Sequence, residues 1–233
     1  MNILAFDTVS SSFSIALQKY DDSILEYNKE DVRNHNEEIL PVLNNFLKEN
    51  NISLDKIDYI VLGIGPGSFT ALRIAFATVK TICYAKNIPI IGISSLETLY
   101  ENIKSYEGIK ASMIDARKGS IYTDIYSGNN KIKENLDITY EEFINIINSI
   151  ENNDKTLTLC GDGFYKNQDY FKEKLKNYKI NDIDKSFNII KASNSIRLSI
   201  PRIKSNNFDN IFNLLPLYLR NSEAENKKMN EKQ

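Results

Sequence analysis

The chain has 233 residues, of which 42% are hydrophobic and 26% charged, and its formal net charge is −2. This composition is typical of a globular protein, and it excludes one that binds nucleic-acid backbones unaided, because such proteins carry a clear basic excess. No apolar run approaches the roughly 18 residues that a membrane helix requires. We expect a cytoplasmic protein without membrane contact, because Asp7 interrupts the short apolar N-terminus and the two cysteines are isolated.

Short apolar segments and turn-forming residues alternate at the start of the chain. Three antiparallel strands are predicted there, at residues 2–7, 13–17 and 23–27. A run of turn formers at 8–12 separates the first two. A helix is predicted from Asn34, since Asn34 and Glu37 have the spacing of a capping box and apolar residues follow at helical spacing. Pro41 lies inside this helix and is expected to kink it.

The next part of the chain alternates strands and helices, the order that produces a mixed sheet with right-handed crossovers. The apolar run at 57–64 contains one acidic residue and indicates a strand that is covered on both faces. It leads into a glycine-rich loop at 65–70. The predicted elements after this loop are a helix at 71–86, a strand at 89–93 and a helix at 94–103.

The second half of the chain repeats the sequence pattern with which the first half begins. In both 5–8 and 113–116 an apolar strand ends in an aspartate. A polar turn and then a second strand follow in each case. Later elements are a helix at 140–150, a strand at 156–159 and a helix at 165–177. We therefore predict an α/β protein of two related lobes, residues 1–104 and 105–221, with a frayed charged tail at 222–233.

The glycine-rich loop lies before a helix N-terminus, where free N–H groups and the helix dipole can bind an anion. Its glycines, Gly63, Gly65 and Gly67, match neither a Walker A loop, which a lysine follows, nor the dinucleotide fingerprint. Glycines also permit a tight turn and close packing, with Ser68 or Thr70 as the helix cap. We favour packing over phosphate binding, although the pattern is compatible with both.

The helix predicted at 71–86 is apolar on nearly every side. Its only charged residues are Arg73, Lys80 and Lys86. A helix that covers one face of a sheet shows a wider polar stripe, so this pattern indicates burial on two sides, in a core or against a partner. Because a small lobe offers little to cover the second side, the pattern predicts a protein partner.

Asp7 and Asp115 both end a strand before a polar turn, a position from which a carboxylate can orient a metal-bound phosphate. Actin-like ATPases and sugar kinases have this arrangement, with glycine-rich turns that let the backbone approach the phosphates. Here non-glycine residues follow both aspartates, and Arg117 would crowd a nucleotide. The Gly-Asp-Gly sequence at 161–163 is a candidate remnant of a nucleoside-binding turn. The alternative is that both aspartates cap local turns.

Residues with metal-binding or nucleophilic side chains are few. The chain has one histidine, His35, and its two cysteines, Cys83 and Cys160, are far apart. A zinc or iron site needs three or four His, Cys or carboxylate ligands, so neither metal is expected. Carboxylates alone could hold magnesium, and no cofactor is predicted. A Ser-His-Asp or Cys-His arrangement would have to use His35, and no nucleophile motif accompanies it. We interpret His35 as a first-turn helix residue that faces solvent or a neighbour.

Several motifs, in this order along nearly the whole chain, resemble those of the TsaB (YeaZ) family. The most specific is Gly-Pro-Gly-Ser-Phe-Thr at 65–70, followed by Leu-Arg-Ile at 72–74. The others are Ile-Leu-Ala-Phe-Asp-Thr at 3–8, His35 with Ile-Leu-Pro at 39–41, Ile-Ser-Ser-Leu at 93–96, Ile-Asp-Ala-Arg at 114–117 with Ile-Tyr at 121–122, and Leu-Tyr-Leu-Arg at 217–220. The chain departs from the family at Ala71 and Ala75, where glycine is usual. Both are small, so close helix packing is expected to survive.

This resemblance implies an actin-like fold of two RNase H-like lobes with mixed sheets. It implies a non-catalytic subunit that assembles with a TsaD-type catalytic subunit and a TsaE-type ATPase. Such a complex transfers a threonylcarbamoyl group from its adenylate to the adenosine beside the anticodon, position 37, of tRNAs that read codons beginning with A. TsaD carries a His-x-x-x-His metal motif, which this chain lacks. tRNA is expected to bind only within the complex.

The resemblance also implies positions for the sites. Partner contacts are expected from the helices and the glycine loop, at His35, Leu43, Gly65, Pro66, Gly67, Ser68, Phe69, Thr70, Leu72, Arg73, Phe76 and Ala77. A vestigial nucleotide site is expected at Asp7, Thr8, Asp115 and Arg117. One alternative is an enzyme, either an actin-like-fold ATPase or small-molecule kinase or a glycopeptidase-like enzyme. Another is a homodimer that forms through the same surface.

Overall fold

The structure, a computed structural model, describes residues 1–9, 13–29, 35–151 and 155–220, without the side chains of residues 35–38. Four predictions concern parts of the chain outside these limits. They are the end of the turn at 8–12, the capping box of Asn34 and Glu37, the side chain of His35, and the tail at 222–233.

The first sheet has five strands in the order β3-β2-β1-β4-β5. They are β1 (Ile3–Asp7), β2 (Phe13–Gln18), β3 (Ile24–Lys29), β4 (Tyr59–Gly63) and β5 (Ile90–Ile93). Strands β1, β2 and β3 pair antiparallel, since few residues separate them, whereas β4 runs parallel to β1 and to β5. Helices α1 (His35–Glu49) and α2 (Phe69–Lys86) form the crossovers that these parallel strands require.

The second sheet has the same topology, in the order β8-β7-β6-β9-β10. Its strands are β6 (Ile109–Arg117), β7 (Ser120–Ser127), β8 (Asn130–Thr139), β9 (Thr156–Cys160) and β10 (Lys179–Ile180). The helices around it are α3 (Ser95–Tyr100), α4 (Tyr140–Ser149), α5 (Asp162–Tyr165) and α6 (Gln168–Lys174). Both sheets are mixed, both have helices packed around them, and both have the same strand order. These features confirm the predicted α/β fold class, and the shared order agrees with the internal repeat.

Both faces of the first sheet are covered, which explains its continuous apolar strands. Leu4 and Phe6 of β1 pack in the cluster that contains buried residues of α1 and α2. Ile3 and Ala5 point to the other face, where they pack with a final helix, α7 (Ala192–Lys204). This helix lies in the predicted second lobe yet covers the first sheet, so the division at residues 104 and 105 remains a prediction.

Three elements were not predicted: β8, α7 and the two-residue strand β10. Strand β8 is a largely polar edge strand in which Glu134 interrupts the alternation of Ile132, Leu136 and Ile138, so its period-two pattern is weak. Helix α7 contains Pro201 and a polar N-terminal half, which weaken its helical pattern. The single helix predicted at 165–177 is two short helices, α5 and α6. In the described part of the chain, no helix has the length and apolar character needed to cross a membrane.

Candidate partner-binding surface and aspartate turns

The glycine-rich loop packs tightly against the turn that follows β1. Gly65 has φ of 104°, a backbone conformation that favours glycine, and a Cβ atom at Gly67 would overlap the carbonyl oxygen of Val9. The N–H of Ser68 donates to that same carbonyl at 3.1 Å, and its hydroxyl accepts from the N–H of Ala71 at 3.5 Å, which caps α2. These contacts support the packing interpretation of the loop.

Helix α2 buries one face and exposes another. Its buried side chains are Ala71, Leu72, Ala75, Phe76, Val79 and Cys83, which pack in the core of the first sheet. Arg73, Ala77, Thr81 and Tyr84 are exposed on the opposite side. Since this exposed side carries small and aromatic residues rather than a broad charged stripe, it is the candidate for the partner-facing side, which the sequence left open.

The predicted contact residues that the structure describes differ in exposure: some are buried, some half-buried and some exposed. Leu43, Leu72 and Phe76 are core residues, with 3%, 0% and 5% of their surface exposed, so the fold leaves almost none of their side-chain surface for a partner. Leu72 and Phe76 belong to α2, and a helix that is apolar on nearly every side does not reveal its inner face from sequence. Gly65 and Pro66 are also buried, Gly67, Ser68 and Phe69 are half-buried, and Thr70, Arg73 and Ala77 are exposed.

A C-terminal segment at residues 206–220, which we call the strap, lies alongside the exposed face of α2. The N–H of Asp209 donates to Ile90 of β5 at 2.9 Å, and the N–H of Leu217 donates to Ile64 at 2.7 Å. From α2, the ammonium of Lys80 donates to the carbonyl of Leu214 at 3.1 Å. The strap thus extends the surface of α2, and only the Leu-Tyr-Leu-Arg motif at its end indicated its importance.

Aromatic rings connect the strap to α2 at two points. The rings of Phe69 and Tyr218 stack with centroids 4.5 Å apart, and those of Tyr84 and Phe212 meet edge-on at 5.9 Å. Tyr84, Phe212 and Leu215 remain 70%, 71% and 70% exposed. The two segments therefore form one apolar surface, which we call the α2–strap surface.

Arg220 joins the strap to the second sheet. Its guanidinium forms an ion pair with Asp137 of β8, donates to the carbonyl of Ala116 at 3.1 Å and lies 5.1 Å above the ring of Tyr122. The carboxylate of Asp137 raises the pKa of this arginine. Through Arg220 the α2–strap surface is held by both sheets.

Asp7, the first of the predicted nucleotide-site residues, is buried at the end of β1. Its Oδ2 accepts from the hydroxyl of Ser95 at 2.7 Å, and its Oδ1 accepts from the N–H of Val9 at 3.1 Å. A Cβ atom at Gly63 would overlap this carboxylate. Burial raises the pKa of Asp7 to about 6, although the bond from Ser95 acts in the opposite direction. Thr8 donates its hydroxyl to Ala71 of α2 at 3.4 Å, so this turn links β1 to α2.

Asp115 occupies the matching position in the second sheet, where a lysine neutralises it. Its Oδ1 accepts from the N–H of Arg117 at 2.8 Å, and its Oδ2 pairs with the ammonium of Lys166 at 3.1 Å. The same ammonium lies 3.2 Å from Asp162, whose other oxygen accepts from the N–H of Asp115. The Gly-Asp-Gly turn at 161–163 is therefore bound to this aspartate. The sequence pattern had not indicated Lys166.

The two cysteines, Cys83 in α2 and Cys160 at the end of β9, are both buried. Burial raises the pKa of the Cys83 thiol to about 12 and also raises the pKa of the Cys160 thiol. Neither thiol is ionised at neutral pH, so neither has the thiolate that a cysteine nucleophile requires. Within the described residues no three His, Cys, Asp or Glu side chains form a group that could hold a metal.

Known proteins resemble this chain over much of its length. A protein family described as "TsaD: tRNA N6-adenosine threonylcarbamoyltransferase" matches residues 29–225. A protein of Bacillus subtilis named "tRNA threonylcarbamoyladenosine biosynthesis protein TsaB" is 35% identical over 136 residues, 58% of this chain and 59% of the relative. An identically named protein of Buchnera aphidicola is 31% identical over 172 residues, 70% of this chain and 80% of that relative.

The shared length differs among these relatives. The Escherichia coli protein with the same name is 33% identical, and the chain spans 53% of its length, so that several relatives are matched over little more than half. Among solved structures, "YeaZ from Pseudomonas aeruginosa" superposes with a TM-score of 0.73 at 21% identity, covering 94% of this chain and 100% of the other. This superposition establishes a shared fold.

Proposed function

Because the chain belongs to the TsaB family, within the wider family described as TsaD, we propose that it is a non-catalytic subunit in the biosynthesis of threonylcarbamoyladenosine in tRNA. In this proposal it binds a TsaD-type catalytic subunit, and a TsaE-type ATPase joins them. The complex transfers threonylcarbamoyl from its adenylate to adenosine 37 of tRNAs that read codons beginning with A. The TsaD-type subunit carries out the transfer.

The exposed apolar character of the α2–strap surface is the observation that carries this proposal. Three of its side chains, Tyr84, Phe212 and Leu215, are each about 70% exposed, and small residues such as Ala77 lie between them and the glycine loop. Contiguous apolar surface of this kind is characteristic of protein interfaces, where aromatic anchors supply much of the binding energy. A TsaD-type subunit that covers it would bury these side chains.

The aspartate turns support a non-catalytic role. Both carboxylate oxygens of buried Asp7 already accept hydrogen bonds, from the hydroxyl of Ser95 and the N–H of Val9. The ammonium of Lys166 occupies the position beside Asp115 and Asp162 that a divalent cation would need. A kinase or ATPase requires carboxylates that are free to bind the metal of a metal–nucleotide complex. The bound carboxylates therefore favour the subunit over the enzyme alternatives.

Reconstitution tests the proposal. The chain, a TsaD-type and a TsaE-type subunit from the same source, threonylcarbamoyl-adenylate and tRNA are combined, and modified adenosine is measured by nucleoside mass spectrometry. We expect the product to fall to background when this chain is left out. Full modification without it would refute the proposal. ATP hydrolysis by the isolated chain that Asp7→Ala abolishes would instead favour the kinase or ATPase.

His35→Gln is expected to leave modification by this reconstituted complex largely unchanged. The proposal assigns the histidine no proton transfer, and glutamine keeps a polar side chain of similar length. Initial rates are compared at saturating concentrations of the chain, with complex formation checked by size-exclusion chromatography. A loss of about a hundredfold or more with an intact complex would have the size of a missing general base and would contradict a non-catalytic role.

The isolated chain is expected to bind tRNA only with the weak affinity of non-specific contacts, no tighter than roughly 10⁻⁴ to 10⁻⁶ M at physiological salt. Its net charge of −2 provides little of the counterion release that drives such binding. Fluorescence anisotropy over a salt series should show tighter, salt-sensitive binding for the complex with the TsaD-type subunit. Submicromolar, salt-resistant binding by the chain alone would mean that it recognises tRNA directly.

A further inference from the structure

We propose that Arg73 is the point at which the α2–strap surface recognises a carboxylate of its protein partner. The inference rests on the proposed function, since it concerns how that partner is bound. It adds a charged contact at a defined position to a surface that is otherwise apolar.

Two aromatic rings hold Arg73 in place. Phe69 and Tyr218 stack with only 9° between their planes, and the guanidinium carbon of Arg73 lies 5.8 Å and 5.9 Å from the two ring centroids. The Nε–H of Arg73 donates to the hydroxyl of Tyr218 at 3.3 Å. These contacts restrict a side chain that otherwise loses much rotamer entropy on binding, so the guanidinium is preorganised for a ligand.

The terminal nitrogens of this guanidinium are available. Arg73 is exposed, and within the described residues its only hydrogen bond uses Nε, while no carboxylate forms an ion pair with it. The two Nη groups form a planar pair of donors whose geometry matches the two oxygens of a carboxylate. Arg73 is therefore the site on this surface with unused capacity to bind an anion.

The other cations of this surface already have partners. Lys80 donates to strap carbonyls, Lys86 pairs with Asp55 at 2.7 Å, and Arg220 pairs with Asp137. A nucleic-acid backbone requires several cations in a row, each free to contact a phosphate. One preorganised arginine among apolar side chains instead fits a single carboxylate in a protein interface, where charge complementarity provides specificity.

The carboxylates of the α2–strap surface distinguish a different protein from a second copy of this chain as the occupant. Residues 69–86 contain no Asp or Glu, and the strap contains one, Asp209. The carboxylate of Asp209 already pairs with Arg202 at 3.0 Å and accepts from the N–H of Gly92 at 2.7 Å. A symmetric dimer places the same surface on both sides, so it would leave both copies of Arg73 without a counter-charge. The occupant is therefore a different protein with an Asp or Glu opposite Arg73.

The test measures binding of the full chain to the TsaD-type subunit by titration calorimetry. Arg73→Glu is expected to raise Kd about thirtyfold or more, because it sets two carboxylates opposite each other, and Arg73→Lys, which loses the bidentate geometry, should raise it less. Lys133→Glu on the exposed edge of β8 makes the same change in net charge and should leave Kd unchanged. Circular dichroism establishes that each variant is folded.

Salt dependence and a steric variant separate the possible outcomes. Binding of the unaltered chain should weaken as salt rises, and Arg73→Gln should reduce that dependence.

If the unaltered chain does not bind the subunit at all, the proposed function fails and this inference fails with it. If Ala77→Trp, which blocks close approach without changing charge, abolishes binding while Arg73→Glu does not weaken it, only the role of Arg73 is refuted. Reduced tRNA binding by isolated Arg73→Glu, with unchanged Kd for the subunit, would assign Arg73 to phosphate instead.

Discussion

Ala77→Asp is expected to abolish binding of this chain to a TsaD-type subunit, with Kd raised about a hundredfold or more, which corresponds to about 2.7 kcal/mol. Ala77 lies in the middle of the exposed face of α2, so the aspartate is solvated in the free chain. In the complex its charge would be removed from water, which costs several kcal/mol, and it would compete with the partner's carboxylate for Arg73, one turn away on the same face. The fold should be unaffected, because a surface substitution leaves the core intact.

A substitution at the neighbouring Phe76 is the control, because it should affect stability rather than binding. Phe76 is one residue away but only 5% exposed, so Phe76→Asp buries a charge in the core and should lower the free energy of unfolding by more than about 4 kcal/mol. Ala77→Ser, which is small and neutral, should bind nearly as well as the unaltered chain. Size-exclusion chromatography with the subunit and urea denaturation of each variant measure the two effects. Normal binding by folded Ala77→Asp would remove the exposed face of α2 from the interface.

Asp7→Asn is expected to stabilise the folded chain at neutral pH by up to about 3 kcal/mol. The pKa of the buried Asp7 rises from the ordinary 3.8 to about 6, so folding favours the protonated carboxyl. The stability that comes from protonation is fully present below about pH 4 and is lost as the pH rises through about 6. Asparagine is neutral at every pH, and its Oδ1 can still accept from the N–H of Val9.

Urea denaturation between pH 5 and pH 7.5 measures this effect. The unaltered chain should lose stability over this interval more steeply than Asp7→Asn, and the difference between them should shrink toward acid pH. Ser95→Ala removes the hydroxyl that stabilises the charged carboxylate, so it should steepen the loss at neutral pH. Equal pH dependence in Asp7→Asn and the unaltered chain would show that Asp7 is ionised at little cost.

The α/β class could be predicted from the sequence because its signals are local. Continuous apolar runs such as 57–64 identify strands that are covered on both sides, and the glycine loop marks the start of α2. The matching positions of Asp7 and Asp115 indicated two related units, and the two sheets have the same strand order. Each of these signals depends on residues that are neighbours in the chain.

The site required the tertiary structure, because its contacts join residues far apart in sequence. Arg73 and Tyr218 are 145 positions apart, and Lys166 reaches Asp115 across 51. No local pattern predicts such pairs, since they depend on how the chain passes over both sheets. The strap is an example, because its polar and extended sequence carries no periodic signal of its own.

The sequence by itself determined that α2 is apolar on nearly all sides, and hence that it needs more cover than one sheet face supplies. It did not determine which side faces inward, because Phe76 and Ala77 are both apolar and differ by only one position. Packing decided that, since the core of the first sheet has room for the ring of Phe76, while Ala77 remains at the surface. The strap then completed the exposed side with Phe212 and Leu215, which only the path of the chain brings beside α2.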